Sequence, residues 1–380
     1  MTNLRSCFNG VYQGRRVLVT GHTGFKGSWL SLWLTELGAE VCGYALEPPS
    51  EPNHFTIAAL ESRLRHVHGD ITSGDRLTRV CREFGPEIVI HMAAQSLVRR
   101  SYDQPALTFA ANVMGTVNLL EAARQTPEVR AVLVVTSDKC YENTGTGRPF
   151  LESDPKGGRD PYSASKGCAE MVTAAYQQSF FQCAGHPVGL ASVRAGNVIG
   201  GGDWAEDRLL PDCVRSAATG RPVRIRFPLS IRPWMHVFEV LAGYLWLGAL
   251  LIENPERYAG AYNFGPPLET NEDRSVGAVV KAVRRLWPAV KAEYQSLPDD
   301  SPKPEAPLLS LRPDRAWERL GWRTIWSLEH GLAETVAWYR ALETAAAGPH
   351  MYELGVAGVE RYRAAAREAG LAWAAVGEGR

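Results

Sequence analysis

Net charge is missing from this chain: 41 basic residues balance 41 acidic ones, and neither sign gathers into a run. That excludes a partner held by bulk electrostatics, nucleic acid first among them. Paired cysteines are missing too. Cys7, Cys42, Cys81, Cys140, Cys168, Cys183 and Cys213 are scattered without a CxxC. Neither a disulfide framework nor a metal site is expected; free, buried thiols in a reducing compartment are. No apolar stretch is long enough to cross a membrane, and the longest, Val240 to Ile252, reads as a core helix. The first fifteen residues are too polar for a signal peptide, and no repeat is present. The expectation is a cytoplasmic protein, its 380 residues divided between one large domain and a smaller one.

What is present begins with an apolar strand, Arg15 to Thr20, followed directly by Gly21-His22-Thr23-Gly24-Phe25-Lys26-Gly27 and an apolar helical stretch from Ser28. Strand, glycine-rich turn and helix in that order form a pyrophosphate cradle. The glycines allow close backbone approach, and the helix N-terminus offers N–H groups and a favourable field. Val41 to Leu46 is a second strand. Ala45 stands where dinucleotide folds carry a ribose-binding acid, and Glu47 follows two residues late. NAD is expected over NADP, because no compact basic cluster awaits a 2′-phosphate; Arg63 and Arg65 are the nearest bases. Arg65 to Ile71 is a third strand whose Asp70 can reach an adenine amine, cap the Ser73 to Phe84 helix, or both. Glu87 to Ala94 is a fourth, with small Ala93 and Ala94 leaving room for a cofactor.

A long helix, Ala106 to Arg124, leads to a fifth strand, Val132 to Val135, and that strand breaks into Thr136-Ser137-Asp138-Lys139. Tyr162 and Lys166 then lie four apart on a helix from Tyr162 to Phe181, hence on one face. Gly189 to Arg194 is a sixth strand, Gly196 to Trp204 is a loop, and Tyr262-Asn263-Phe264-Gly265-Pro266 ends another strand. Strands alternating with helices predict an α/β fold with a doubly wound parallel sheet, Rossmann-like, with ligands at the strands' C-terminal ends. The expected division is a NAD-binding domain over 12–195, to which 236–264 returns, and a smaller C-terminal substrate lobe over 196–235 and 265–340. A peripheral helical tail over 341–380 is assigned no chemistry. Arg208, Arg224, Arg226 and Arg232 give the lobe the positive charge that a diphosphate needs.

Tyrosine is a poor base at its ordinary pKa near 10. A neighbouring Lys166 ammonium and the positive nicotinamide lower that value, so that Tyr162 can take a hydroxyl proton while the carbon gives up hydride. Ser137 shares the hydroxyl. Asp138 and Lys139 exceed what a dehydrogenase or 4-epimerase needs and point to elimination. A hexose oxidised at C4 has an acidic C5 proton. Asp138 then protonates the leaving C6 hydroxyl, and Lys139 either takes the C5 proton or stabilises the enolate.

The segments GHTGFKGSWLSLWL, HMAAQSLVR, TSDKCYEN, DPYSASKGCAE, RAGNVIGGGDW, SIRPW and NFGP together resemble the extended short-chain dehydrogenase/reductase superfamily. Within it the chain is similar to the nucleotide-sugar 4,6-dehydratases, and Lys139 to their CDP-glucose branch, since most relatives carry Asp-Glu there. The resemblance runs from about Arg15 to Trp338. It implies tightly bound NAD, dehydration of CDP-D-glucose to CDP-4-dehydro-6-deoxy-D-glucose, and a homodimer through a four-helix bundle of Ala106–Arg124 and Tyr162–Phe181. By motif position it implies catalytic roles for Ser137, Asp138, Lys139, Tyr162 and Lys166. Cofactor contacts fall to Gly21, His22, Gly24, Phe25, Gly27, Asp70, Ile71, Ala93 and Ala94, together with Tyr162 and Lys166. Substrate contacts fall to Gln95, Asn197, Arg208, Arg232 and Asn263. His22 is expected to face either the cofactor phosphates or Lys139. A 4-epimerase or reductase of the same fold, or a non-catalytic NAD-binding sensor, is the alternative.

Overall fold

In the computed structural model, which describes residues 4–182, 187–269, 272–294, 309–344 and 349–375, seven strands make one parallel sheet. They are β1 (Arg16–Thr20), β2 (Glu40–Ala45), β3 (Arg65–His68), β4 (Ile88–His91), β5 (Ala131–Val135), β6 (Gly189–Ala195) and β7 (Gly260–Phe264). Their order is β7-β6-β5-β4-β1-β2-β3, so the winding reverses between β1 and β4. That reversal opens a crevice at the strands' C-terminal ends. The six expected alternating strands are present, and the further strand expected to end near Pro266 is β7, which pairs beside β6. β3 and β4 stop earlier than expected, which leaves Asp70, Ala93 and Ala94 in the loops just beyond.

The central strands read as unbroken apolar runs because both faces are covered. Along β1 and β5, Val17, Val19, Leu133 and Val135 join one core, while Leu18, Val132 and Val134 join the other. This is the period-two alternation of a strand. The second core lies under the Gly74–Phe84 and Gly115–Arg124 helices. The first lies under the Phe25–Glu36 and Val237–Glu253 helices, and in the latter every residue from Val237 to Leu251 is buried. The same core continues into Leu210, Val223, Ile225, Val279 and Val283. There, Val223–Ile225 pairs with Ala292–Tyr294, and Val198–Ile199, within the expected 196–204 loop, pairs with Met235–His236.

The tail is not peripheral, which corrects the expectation for 341–380. The Pro349–Glu368 helix buries Met351, Val359, Tyr362 and Ala366, a stripe at helical spacing. Tyr362 donates to buried Glu239 at 2.7 Å, and Trp373 stacks on Phe8 with ring centroids 5.0 Å apart. Among the described residues, no helix is long and apolar enough to cross a membrane and no side-chain cluster could hold a metal ion. The six described cysteines are free; Cys183 lies outside the described residues.

Candidate active site

The glycine turn is shaped by close approach. A Cβ on Gly21, whose φ is +75°, would lie 2.7 Å from the Ala93 nitrogen, and one on Gly27 would lie 2.2 Å from the Gly21 carbonyl oxygen. The Phe25–Glu36 helix therefore starts directly over the end of β1. Gly24 caps it with no side-chain bond. A helix N-terminus left open beside half-buried Ala93 and Ala94 fits a dinucleotide pyrophosphate.

The His22 ring lies in the core beside β2 and β3. It is buried against Gly43, where a Cβ would meet it at 2.3 Å, and its Nε2 lies 2.7 Å from His66 Nδ1. Burial, and then His66, drive its pKa down to about 3, so the ring is neutral. Asp70 closes a turn, accepting from the backbone N–H and hydroxyl of Thr72 at 2.9 and 2.8 Å. It does not cap the Gly74–Phe84 helix, whose N-cap is Ser73. Ile71 is buried, Ala45 ends β2 in the core, and exposed Glu47 faces His68 at 3.8 Å.

Beyond β5 the chain tightens into a 3-10 turn, Asp138–Cys140, with Ser137 Oγ accepting from the Lys139 backbone N–H at 3.3 Å. Ser137 also donates to Asp138 Oδ1 at 2.9 Å. The other carboxyl oxygen is buried without a partner. The Pro161–Tyr176 helix is started by Asp160, which accepts from the Ser163 N–H, and by a proline at its first position. Ser165 then donates to the Tyr162 carbonyl at 2.7 Å and accepts from Asn112 at 2.8 Å. Lys166 Nζ donates to the Val135 carbonyl at 3.3 Å. Ser137, Asp138, Tyr162 and Lys166 thus meet at the end of β5, as the sequence predicts.

Burial dominates the electrostatics here. It pushes the Tyr162 phenol up to about 12, against a hydrogen bond with Ser137 and the Arg208 guanidinium, with Asp138 adding to the rise. The Arg208 guanidinium is a cation acting on Tyr162. Burial takes Lys166 down to about 8. It raises the Asp138 carboxyl, with Lys139, Ser137 and Arg232 pulling the other way. A carboxyl pushed toward its neutral form, with one oxygen unpartnered, is suited to donating a proton.

Arg208 and Arg232 reach this cluster from the chain beyond β6. Arg208 is oriented by Asp203 at 2.9 Å, and Arg232 is buried, donating to the Ile231 carbonyl at 2.9 Å. Asn197 is half-buried, and its side chain makes no hydrogen bond among the described residues. Gln95 and Asn263, the other expected substrate contacts, have their amides engaged within the protein. Gln95 bonds through both ends of its amide, to Leu97 and Thr108, and so braces its own turn. Asn263 is fully enclosed, accepting from Tyr141 at 2.6 Å and donating to the Phe150 carbonyl at 2.9 Å.

Sequence reasoning missed three groups. Glu170, one turn beyond Lys166, forms a buried ion pair with Arg194 at 2.5 Å. Asn112 ties Gln95 to Ser165 from a π turn, Ala110–Met114. Lys26, within the glycine motif, turns its amine toward Tyr244. Glu170 was detectable as an acid at helical spacing from Lys166.

Residues 17–265 match the family described as the NAD dependent epimerase/dehydratase family. The chain belongs to that family. It is 49% identical over 333 residues to the CDP-glucose 4,6-dehydratase of Salmonella typhimurium, covering 87% of this chain and 92% of that protein. It is 30% identical over 349 residues to a dTDP-glucose 4,6-dehydratase of Xanthomonas campestris pv. campestris, covering 86% and 93%. Among solved structures, the UDP-glucose 4-epimerase of Thermus thermophilus in complex with NAD superimposes with a TM-score of 0.72 at 27% identity. That match covers 86% of this chain and 99% of that one. The cofactor is NAD, as the family's description states, and the open glycine cradle accommodates it.

Proposed function

We propose that the protein dehydrates CDP-D-glucose to CDP-4-dehydro-6-deoxy-D-glucose. The observation that carries this reading is Asp138, a buried carboxyl pushed toward its neutral form, placed with Lys139 beside Ser137, Tyr162 and Lys166. The 49% identity to a CDP-glucose 4,6-dehydratase supports the choice of nucleotide and sugar.

Ser137 and Tyr162 hold the C4 hydroxyl, and Tyr162 takes its proton, helped by the Arg208 guanidinium and the Ser137 hydrogen bond. NAD, which the glycine turn and Lys166 would hold, would supply a reversible acceptor for the hydride that leaves C4 and arrives at C6. Lys166 holds the nicotinamide ribose. With C4 a ketone, the C5 proton is acidic; Lys139 takes it, or stabilises the enolate while a water or another residue takes it, and Asp138 gives its proton to the departing C6 hydroxyl as water. As hydride reaches C6 the base returns its proton to C5, and the proton held by Tyr162 passes through solvent to reset Asp138, so the net change is loss of water. Residues 12–195 with 236–264 serve the cofactor, and 196–235 with 265–340 serve the nucleotide sugar. Asn197, Arg208 and Arg232 face the diphosphate and sugar, and Asp70 the adenosine.

The protein acts as a cytoplasmic homodimer in this reading. Leu107, Phe109 and Met114 on one helical run, and Met171 and Phe180 on the next, are large exposed apolar residues. Pairing these helices with their counterparts buries that face as a four-helix bundle. For the reaction, CDP-glucose deuterated at C4 is converted and the product's label located. Deuterium at C6 of the same molecule is expected. Return of label to C4 would establish an epimerase instead, and no turnover with any nucleotide sugar would leave an NAD-binding sensor.

A further inference from the structure

The chain between β6 and the Leu209–Thr219 helix holds an acid, Asp203, that no step of the proposed reaction uses. Its approach is laid directly on the aromatic core. A Cβ on Gly201 would lie 2.2 Å from the Trp338 ring, and one on Gly202 would lie 2.6 Å from His54. Asp203 follows, and one hydroxyl pins its backbone on both sides. Tyr339, on the Leu328–Thr344 helix, accepts from the Asp203 N–H at 3.0 Å and donates to the Asp203 carbonyl at 2.6 Å. Trp204 then packs edge-on against the Tyr339 ring, with centroids 5.4 Å apart.

The Asp203 side chain is buried, and both its oxygens are used. Oδ1 accepts from the Ala205 N–H at 3.0 Å, and Oδ2 accepts from the Arg208 guanidinium at 2.9 Å. The other terminal nitrogen of Arg208 donates to Ser96, in the loop after β4, at 3.4 Å. The guanidinium is thus tied at two points, one in the chain beyond β6 and one beyond β4. The groups acting on the Tyr162 phenol are Ser137 and Asp138 from the turn after β5, Asp160 before its own helix, Tyr244 from the Val237–Glu253 helix, and Arg208. Arg208 supplies the positive charge of that set. An untethered arginine samples many rotamers, so its charge stays at one place only if something anchors it.

We propose that Asp203 is a positioning residue, which aims the Arg208 guanidinium at Tyr162 and is itself set in place by Tyr339. The inference rests on the role of Tyr162 in the proposed function and deepens it. Asp203 works through Arg208 and needs no contact with the sugar. Its role has a sign. A carboxylate that is only nearby disfavours a phenolate, so its removal makes Tyr162 ionise more readily. A carboxylate that aims a guanidinium does the reverse, because without it the phenolate loses its cation. Asp203→Asn separates the two cases. Its amide keeps an acceptor for the Ala205 N–H but turns an NH₂ toward the guanidinium, donor against donor.

The test places a difluorinated tyrosine at position 162, whose phenol ionises at lower pH than that of tyrosine. Its titration is followed by fluorine NMR in the full-length protein with cofactor bound. Asp203→Asn should lower the ionisation constant about tenfold, as should Arg208→Met. The double variant should fall no further than Arg208→Met alone, since an anchor has nothing to act through once the arginine is gone. Tyr339→Phe should lower the constant by less. A rise or no change in Asp203→Asn overturns the proposal, and so does a further fall in the double variant. Should Asp203→Asn fail to fold, Tyr339→Phe decides: a lowered constant supports the proposal, and an unchanged one overturns it. No sugar nucleotide is present, so an error in the sugar assignment leaves these shifts in place. If the anchor alone is wrong, deuterium from C4 still arrives at C6.

Discussion

Thr136 and Ser137 are neighbours just past β5, yet they belong to two buried polar clusters with opposite properties. Thr136 bonds Glu170, which also accepts from Ser192 at 2.7 Å and pairs with Arg194 at 2.5 Å. Arg194 continues to Tyr141 at 2.6 Å, and Tyr141 to Asn263. Burial alone would raise the Glu170 carboxyl, but Arg194, Thr136 and Ser192 hold it below its ordinary value. On the other side, Ser137 leads to Asp138 with an unpartnered oxygen, to Tyr162 pushed up to about 12, and to Lys166 and Lys26 pushed down to about 8 and 7. Glu170 and Lys166 are one helical turn apart, so position on the fold does not separate the two sets. Partners do. A buried group whose hydrogen bonds are complete is fixed in one protonation state and braces the fold; one left incomplete is shifted toward its neutral form, which brings the Lys166 and Lys26 amines to moderate pH.

Three substitutions break or sharpen that contrast. Tyr162→Phe should cost about a thousandfold or more in turnover, with a urea midpoint indistinguishable from the parent; turnover within tenfold of the parent would remove the tyrosine from the mechanism. Glu170→Gln should act the other way, leaving Arg194 buried without its carboxylate and costing about 3–5 kcal/mol in urea unfolding. Because the folded-state pKa of Glu170 lies below its unfolded value of 4.5, its contribution is full above that pH and lost on acidification. The parent's stability should therefore fall below about pH 4.5 more steeply than the variant's. Equal acid slopes would contradict the pairing. Asp138→Asn should slow elimination about a hundredfold while single-turnover NADH formation survives; equal loss in both steps would falsify Asp138 as the proton donor.

The sheet was legible because its strands are unbroken apolar runs ending in glycine or small polar residues, as at Val19-Thr20-Gly21 and Val135-Thr136-Ser137. Tyr162 and Lys166 were legible because helical spacing fixes a shared face. Side-chain direction was not. Asn263 sits at the expected strand end, but its amide is engaged by Phe150, 113 positions away, a contact that only the fold creates. His22 turned away because Gly43, on another strand, leaves a hole for its ring. Lys26 was passed over because a glycine motif is read for its backbone. The tail's helical stripe was diluted by alanine, which hid how much of it is buried.

Tyr352 on the Pro349–Glu368 helix bonds Glu36 from 316 positions away, and Trp373 covers Phe8. On the ribosome, at about 10 residues per second, the first helix over the sheet waits roughly half a minute for that cover. During the wait Trp29 and Trp33, both buried in the finished fold, present an apolar face to other nascent chains and to chaperones. The helix assigned no chemistry thus completes the burial of the first helix over the sheet.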